Sequence, residues 1–498
     1  MESRLQDLVQ HRGLLMMIFV LGIGGTFQNG FHISVMNSPS VFIKRFINNT
    51  WIYRYQSPVE DNTLMIIWSF IVSIYAIGAL FASLGAGYLI SKYGKKRCQL
   101  CICVIPLVAA VLAGCSSFAK SFELILIARF LYGINAGIGF SLHSQYAGEI
   151  ASKKLRGFTN TSISIFVTSG KMVGQIFGLR EILGTESVWP VLVSLSGFWS
   201  LIQLCTLPFF PESPSYLLMK GDKEGCLRAL KQLWGDGDYQ TVINEMSKEQ
   251  AARSGRKSLT VLQLLRDPSH RWQLYALIAL TVALQLCGVN WIYFYASDVF
   301  RSAGFHNTQI PYLTIGVGIC EATSVILCSL VVDRFGRRVF LLGGYTVMVL
   351  ALGLITITIS FQAHATWLPY FSVFLLFLFV LSFGSGPGAT TMTVLVEIFS
   401  QISRTAALVL VGSIHWLQLF ILGMAFPFIQ AAIGHFCFLI FLVIIAACGI
   451  YLYFFLPETK GKSWLETKED FDKYSCRRQN MVEISETLPD IYVISSKL

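Results

Sequence analysis

The feature that most constrains this chain is a series of long apolar blocks. Leu14–Met36, Leu64–Ile90 and Phe371–Val396 contain no Asp, Glu, Lys or Arg. The hydrocarbon core of a bilayer is about 30 Å thick, so roughly 20 apolar residues in a helix span it. The blocks therefore predict a polytopic α-helical membrane protein, because a soluble protein with such segments would expose very large apolar patches.

Composition agrees with this prediction. Hydrophobic residues make up 54% of the 498 residues and charged residues only 13%, whereas soluble domains carry about a quarter charged residues. The fold class that follows is an all-α membrane protein with twelve transmembrane helices in two six-helix halves. We predict the spans at 14–36, 64–90, 99–119, 122–148, 158–180, 188–208, 272–300, 311–332, 339–361, 367–395, 405–428 and 434–456.

The predicted domains follow from the distribution of charge. Residues 211–270, between spans six and seven, are rich in Lys, Arg, Asp and Glu, which predicts short cytoplasmic linker helices. The two six-helix halves are then 1–210 and 271–456, and 457–498 is a polar cytoplasmic tail. The last three residues, Ser496–Leu498, match a peroxisomal import tripeptide. That signal serves soluble proteins, so we interpret the match as a coincidence.

Basic residues predict the orientation of the chain. The net charge is +10, but the basic residues cluster in short loops after spans two, four and eight, at Lys92–Arg97, Lys153–Arg156 and Arg334–Arg338. This is the positive-inside pattern of membrane proteins, so we predict no nucleic-acid partner. Both termini are predicted to be cytoplasmic, in the plasma membrane or alternatively an intracellular membrane. The sequon at Asn48 then lies outside and predicts a glycosylation site.

The chain lacks the patterns of an enzyme or a metalloprotein. Nearly all of the 12 cysteines lie in apolar blocks or at presumed cytoplasmic positions. Their spacing predicts neither a disulfide framework nor a metal site. The sequence shows no nucleophile–base set and no phosphate-binding loop. We therefore predict no enzymatic activity, no cofactor and no metal.

The two halves of the sequence repeat each other. Three landmarks recur in the same order, each displaced by about 245 residues. This indicates that a unit of six spans was duplicated. Parallel halves of this kind are typical of the major facilitator architecture, which places a substrate site near the middle of the membrane between them. The paired landmarks are Gly94-Lys95-Lys96 with Gly336-Arg337-Arg338, Glu149 and Arg156 with Glu397 and Arg404, and Pro211-Glu212 with Pro457-Glu458.

The charged landmarks lie at presumed cytoplasmic ends of spans. Opposite charges there can pair with each other and with the basic loops, which predicts a latch that holds the halves together when the cytoplasmic side is closed. The alternative is that these charges only signal topology, although carboxylates add nothing to orientation. The predicted latch residues are Arg97, Glu149, Arg156, Arg337, Arg338, Glu397 and Arg404.

Several motifs carry a specific resemblance to a known family. They are Arg129–Gly133 in span four, Gln285–Asn290 in span seven, Asp333–Arg338 after span eight, and the half endings Pro211–Pro214 and Pro457–Gly461. On these motifs the chain is identified as a member of the sugar porter family. The resemblance covers nearly the whole chain. It implies a major facilitator fold that moves a sugar by alternating access.

Within that family the chain resembles class II of the facilitative glucose transporters. His415-Trp416 is similar to the fructose transporter, and Thr390 stands where class I has a tryptophan. Gly384–Gly388 and Gln285–Gly288 are most similar to types 9 and 11 of class II. The resemblance therefore implies a hexose such as glucose or fructose as substrate, and type 9 adds urate as an alternative.

The resemblance also implies which residues bind the substrate. Gln175 in span five, Gln285 and Asn290 in span seven, and His415-Trp416 in span eleven occupy matching positions. Such residues suit a sugar, because amides both donate to and accept from hydroxyl groups and an indole packs against a sugar ring.

Some positions depart from the family pattern. Leu284 replaces a glutamine, and Glu321 replaces an asparagine of span eight. Asn29 and His32 in span one replace a tyrosine and an asparagine of the fructose carrier. These departures put the substrate in question. A non-sugar such as urate, or a sensor-like member that moves no substrate, therefore stays open as an alternative.

Two charged residues, Lys171 and Glu321, lie well inside spans five and eight. Ionisable residues at such depth are costly and usually functional. Lys171 precedes Gln175 by one helical turn, so both share a helix face. Because spans five and eight face each other in this architecture, we predict that Lys171 and Glu321 pair across the cavity beside the substrate. The alternatives are a purely structural pair, or a lysine that reaches the outer membrane edge.

The leading hypothesis is a hexose uniporter. Span one contains no acidic residue, and proton-coupled sugar porters carry one there, so its absence favours passive transport. Glu321 keeps proton coupling open. The expected partners are a small-molecule substrate, namely a hexose or alternatively urate, and the lipid bilayer. The transport unit is expected to be a monomer.

Overall fold

The computed structural model describes residues 12–151, 156–254, 259–302, 304–306, 308–462 and 466–473. The loop at 152–155 and the terminal tripeptide 496–498 lie outside the described residues.

The first half contains α1 (Arg12–Gly24), α2 (Thr26–Ser34), α3 (Ser40–Tyr55), α4 (Asp61–Tyr93), α5 (Lys95–Cys115), α6 (Glu123–Ile150), α7 (Arg156–Phe177), α8 (Trp189–Ser194) and α9 (Ser196–Thr206). The second half contains α14 (Arg271–Gln285), α15 (Val289–Ser302), α16 (Ile310–Phe335), α17 (Arg337–Ser360), α18 (Leu368–Phe383), α19 (Ala389–Ile398), α20 (Gln401–Ile433) and α21 (Cys437–Phe455).

The segment between the halves contains four short helices. The second and third pack together through Cys226, Leu230 and Ile243, which are buried. The fourth begins with a capping box, in which Thr260 and Gln263 each accept from the other's backbone N–H. These helices are α10 (Pro214–Met219), α11 (Lys223–Trp234), α12 (Gln240–Ser254) and α13 (Val261–Arg266).

The predicted twelve-span helical fold is confirmed. In the described chain, 10 helical stretches are long and apolar enough to cross a membrane. One of them, Ser403–Phe455, covers α20 from Ser403 onward together with all of α21, and α7 is not among the ten. Counting α20 and α21 separately and adding α7 to the 10 stretches gives twelve spans. α7 is less apolar because it carries Lys171 and a series of Ser and Thr residues that face other helices.

Three of the spans are interrupted near their middle. The first bends at Gly25, where the backbone leaves helical geometry between α1 and α2. The seventh breaks between α14 and α15 at Gly288, whose φ of +96° favours glycine. The tenth contains a single wide π turn at Gly384–Gly388, which includes Pro387. Such interruptions expose backbone groups and are frequent at functional sites.

The two halves meet along two pairs of helices. α4 packs against α20, and α7 packs against α16. Span seven also contributes, because α15 contacts α2 of the first half. The second of these pairs brings the polar face of α7 to the centre of the molecule, where the sequence places both intramembrane charges.

Candidate substrate site

Helix α7 is positioned by a close backbone contact with α2. A Cβ on Gly30 would lie 1.9 Å from the Val167 carbonyl oxygen, and one on Gly170 would lie 2.0 Å from that of Phe27. Small residues permit this approach, as is common between membrane helices. The Ser34 hydroxyl then donates to the carbonyl oxygen of Lys171 at 2.7 Å. The packing of α2 on α7 therefore fixes where the Lys171 side chain begins.

Lys171 pairs with Glu321 across the two halves. Its Nζ lies 2.8 Å from Glu321 Oε1, and the two side chains are only 4% and 3% exposed. The same ammonium lies 4.4 Å above the ring centre of Tyr293 on α15, which adds a cation–π contact. The predicted pair therefore forms between α7 and α16, whereas its part in transport remains a prediction.

Several polar atoms around this pair have no hydrogen-bond partner within the described residues. They include both amide atoms of Gln175, Glu321 Oε2 and His415 Nδ1. The Tyr293 hydroxyl lies close to Glu321 but outside hydrogen-bonding geometry. Gln175 lies against α16, because a Cβ on Gly318 would be 2.3 Å from its Oε1. Buried polar groups are normally satisfied, so these atoms are candidates to bind a polar substrate.

A second group of polar side chains joins α14, α15 and α20. Asn290 Nδ2 donates to Gln285 Oε1 at 2.6 Å, and Gln285 Nε2 donates to the His415 carbonyl oxygen at 3.3 Å. Both amides are more than nine-tenths buried. The structure therefore brings together the predicted site residues of spans seven and eleven.

Trp416 is connected to the first half through Tyr75. The Trp416 side chain is buried, and its ring packs edge-on against Tyr75 with 6.1 Å between ring centres. The Tyr75 hydroxyl donates to Asn29 Oδ1 at 2.8 Å. Asn29 thus supports an aromatic pair at the boundary of the halves, and its side-chain oxygen is already engaged.

His32 is buried within the first half. Its ring stacks on Tyr132 with 4.0 Å between ring centres. Its carbonyl oxygen accepts from Arg129 Nη1 at 3.1 Å, and the same guanidinium donates to the carbonyls of Ile71 and Val72. Arg129 is completely buried. This arginine of the span-four motif therefore ties α6 to both α2 and α4 through backbone oxygens.

The face of the bundle that carries the Gly94–Arg97 and Gly336–Arg338 loops, here called the basic face, has the same arrangement in each half. Glu212 accepts from the backbone N–H groups of Lys95 and Lys96 at 3.1 Å. Glu458 accepts from those of Arg337 and Arg338 at 3.0 Å. A carboxylate at a helix N-terminus satisfies free N–H groups and the helix dipole. The two half-ending motifs therefore cap α5 and α17.

Two salt bridges of the basic face, among the described residues, each lie within a single half. Lys95 Nζ is 2.7 Å from Glu149 Oε2 in the first half, and Arg337 Nη2 is 3.2 Å from Glu397 Oε1 in the second. Ser213 and Thr459 donate to the same two carboxylates. These contacts hold each half together. The latch between the halves stays a prediction.

The remaining predicted latch residues differ in their surroundings. Arg338 donates to the Tyr453 carbonyl oxygen, and Arg404 donates to that of Phe399 at 3.2 Å. Arg97 is exposed. Arg156 begins α7, and its side chain lies outside the described part of the chain.

Replacing Glu458 with alanine should lower the thermal stability of the purified protein, because it leaves the first N–H groups of α17 without an acceptor. Loss of an N-terminal cap costs about 0.5–2 kcal/mol. Glu458→Gln retains one acceptor oxygen and should have a smaller effect. Glu469→Ala, at an exposed position of the helical segment 466–473, is the matched control. Equal melting temperatures for the Glu458→Ala and Glu469→Ala variants would contradict the capping role.

Asn48 lies in α3, a helix outside the spans. Its side chain is half-buried, and its Oδ1 accepts from the Val59 N–H at 3.1 Å. Thr50 of the same sequon is 3% exposed. Nδ2, the atom that a glycan would modify, takes no part in the bond to Val59. Glycosylation at Asn48 remains a prediction.

Comparison with known families decides the identity of the chain. A family model described as "Sugar (and other) transporter" matches residues 17–471. The chain belongs to this family. The match extends from α1 to the helical segment 466–473, so both halves and the linker of this sugar transporter are included.

Curated relatives place this sugar transporter more closely. Solute carrier family 2, facilitated glucose transporter member 11 of Homo sapiens is 40% identical over 476 residues, covering 95% of this chain and 96% of its own. Member 9 of Mus musculus is 38% identical and covers 92% and 86%. Member 5 of Mus musculus is 39% identical and covers 92% of each. The family predicted from the motifs is confirmed.

Solved structures agree on the fold. The major facilitator superfamily proton:xylose symporter XylE bound to 6-bromo-6-deoxy-D-glucose aligns with a TM-score of 0.74 at 20% identity, over 93% of this chain and 99% of that one. XylE from E. coli in an inward-open conformation aligns with a TM-score of 0.73 at 19% identity. The sugar transporter therefore has the major facilitator fold.

Sequence reasoning missed two tyrosines of the site, Tyr75 and Tyr293. Tyr293 follows Asn290 by three residues and therefore shares its helix face, which is a signal that could have identified it. Tyr75 offers no such signal. Tyr75 contacts Trp416 only because α4 packs against α20 in the folded chain.

Proposed function

We propose that this sugar transporter is a passive uniporter for a hexose such as glucose or fructose. Its two halves rock about the central site, which opens to one side of the membrane at a time. Its facilitated glucose transporter relatives support a hexose as the substrate. Transport moves the sugar unchanged, so no catalytic group and no cofactor take part.

The observation that carries this proposal is a set of buried polar atoms that have no hydrogen-bond partner within the described residues, together with a buried tryptophan of the same site. Gln175, Glu321 and His415 offer such atoms, and Trp416 lies on the helix that also carries His415. A hexose has several hydroxyl groups, each able to donate and accept, and apolar ring faces that pack on aromatic side chains. Passive transport is supported by the absence of an acidic residue in the described α1 and α2.

The orientation and setting of the molecule belong to the same proposal. The basic face is cytoplasmic, because Lys and Arg are enriched in the cytoplasmic loops of membrane proteins. α3 and Asn48 are then extracellular, and both termini are cytoplasmic. We assign the protein to the plasma membrane as a monomeric transport unit. The predicted latch residues of the basic face would contribute to closing the cytoplasmic side during the cycle.

Uptake of labelled glucose and fructose into cells that display the protein on their surface tests the proposal. We expect uptake that does not depend on a proton gradient. We expect a loss of at least about tenfold in Trp416→Ala, because truncating a buried aromatic contact removes several kcal/mol. Trp367→Ala removes an indole that is 60% exposed and should leave uptake unchanged. Urate uptake without hexose uptake, or no uptake by protein at the surface, would contradict the proposal.

A further inference from the structure

The ion pair between the halves contributes no net charge to the site. Lys171 and Glu321 contribute one charge of each sign, and both are buried. Resting on the proposed hexose transport, we propose that this pair makes the site select neutral sugars against sugar acids of the same shape. The selection depends on Glu321 balancing Lys171.

The free oxygen of Glu321 determines what can approach the pair. Oε1 accepts from Lys171, and Oε2 has no hydrogen-bond partner within the described residues. A carboxylate can only accept hydrogen bonds. A sugar hydroxyl can therefore donate to Oε2, whereas the carboxylate of a sugar acid would meet a like charge. Gln175, on the same face of α7 as Lys171, adds an amide that can donate to or accept from further hydroxyls.

The ammonium of Lys171 offers little compensation to an anion. It is engaged with Glu321 at 2.8 Å and lies over the ring of Tyr293. An anion that entered this site would lose its hydration and gain no unpaired cation in return. A neutral hexose loses far less on leaving water. The ion pair therefore favours binding of the neutral sugar over binding of the anion.

Arg129 is another buried cation near this region, and its effect has to be separated from that of the pair. Its guanidinium donates to the carbonyls of His32, Ile71 and Val72 and lies against the Tyr75 ring. It is completely buried behind these groups. Its charge is the same in every variant at positions 171 and 321, so a comparison among those variants isolates the pair.

Removing the negative member of the pair should weaken the preference for the neutral sugar. In Glu321→Gln the ammonium of Lys171 remains without its carboxylate, and the pair's net charge changes from zero to +1. We expect the uptake of D-glucuronate relative to D-glucose to rise about tenfold or more, because an unpaired buried charge attracts an opposite one strongly at low dielectric. Glu321→Asn creates the same charge with a smaller side chain and should behave alike.

The experiment compares D-glucose with D-glucuronate, which share a pyranose ring and differ by a carboxylate. Both are measured as uptake into liposomes containing the full-length protein, in the original chain, Glu321→Gln, Glu321→Asn, Lys171→Met and Lys171→Met/Glu321→Gln. Only the two variants with an unpaired ammonium should show the increased ratio. Lys171→Met leaves a lone carboxylate, and the double variant is neutral, so neither should gain glucuronate uptake.

The outcomes separate this inference from the proposed function. If the original chain transports glucose or fructose but neither Glu321 variant raises the glucuronate ratio, charge selection is wrong and hexose transport stands. An equal rise in the neutral double variant would also overturn it. If the original chain transports no hexose, the proposed function fails; glucuronate uptake that rises in the two Glu321 variants and not in the double variant would then still show that the pair controls access of an anion, and no rise would overturn that as well.

Discussion

Replacing Lys171 with methionine should lower hexose uptake at least about tenfold and destabilise the protein by about 3–5 kcal/mol, because it leaves a buried charge uncompensated. Methionine is close to lysine in length, so the change removes the charge with little loss of volume. The Glu321 carboxylate, only 3% exposed, would then have no cation at 2.8 Å. Uptake per molecule at the surface and the melting temperature of the purified protein measure the two effects.

Adding Glu321→Gln to Lys171→Met should restore most of the lost stability and part of the lost uptake, because both buried charges are then absent. The matched control is the pair Arg45–Glu186, which has a similar separation of 2.9 Å but side chains that are 54% and 60% exposed. Arg45→Met should change the stability by no more than about 1 kcal/mol. A double variant no better than Lys171→Met would contradict a functional pairing.

Replacing Gly170 with alanine should destabilise the protein by about 1–3 kcal/mol and strongly reduce uptake, because it overpacks a close helix contact. The new Cβ would lie 2.0 Å from the Phe27 carbonyl oxygen and 2.9 Å from the Phe31 nitrogen. These are backbone atoms, so α2 and α7 would have to separate. Lys171 is the next residue, and its distance to Glu321 would change with the helix. The melting temperature and hexose uptake measure both consequences.

The control for this packing effect is Gly85→Ala in α4. A Cβ there meets no heavy atom within 4 Å. Alanine in a helix lowers the entropy of the unfolded chain relative to glycine, which stabilises by about 0.4–1 kcal/mol. The two substitutions add the same methyl group to a helical glycine, so opposite signs are expected. A Gly170→Ala protein as stable and active as Gly85→Ala would show that the α2–α7 contact is not tight.

Much of the fold was predictable because hydropathy is a local property. Runs of apolar residues identified the spans, and the recurrence of Gly94-Lys95-Lys96 as Gly336-Arg337-Arg338 identified the duplication. Span five was the least evident by composition. Its helix is polar on one face, because that face packs inside the protein against α2 and α16.

The interpretation of the basic face needed the tertiary structure. Sequence reasoning assigned Glu149 and Glu397 to a latch between the halves. In the folded chain each carboxylate pairs with a basic residue of its own half. The capping role of Glu212 and Glu458 was not predicted, because each accepts from backbone N–H groups more than 100 residues earlier in the chain.

The sequence by itself determined the number of spans, the duplicated halves and the family. It also showed two ionisable residues inside the spans, where such residues are costly and usually functional. It also led to the correct partners, Lys171 and Glu321. The tertiary structure alone decided that the Tyr293 ring lies under the Lys171 ammonium, that the Gln175 amide has no hydrogen-bond partner within the described residues, and that Tyr75 packs against Trp416. The physical reason is that helix periodicity is encoded locally, whereas distances between helices depend on how closely the glycine-lined backbones pack.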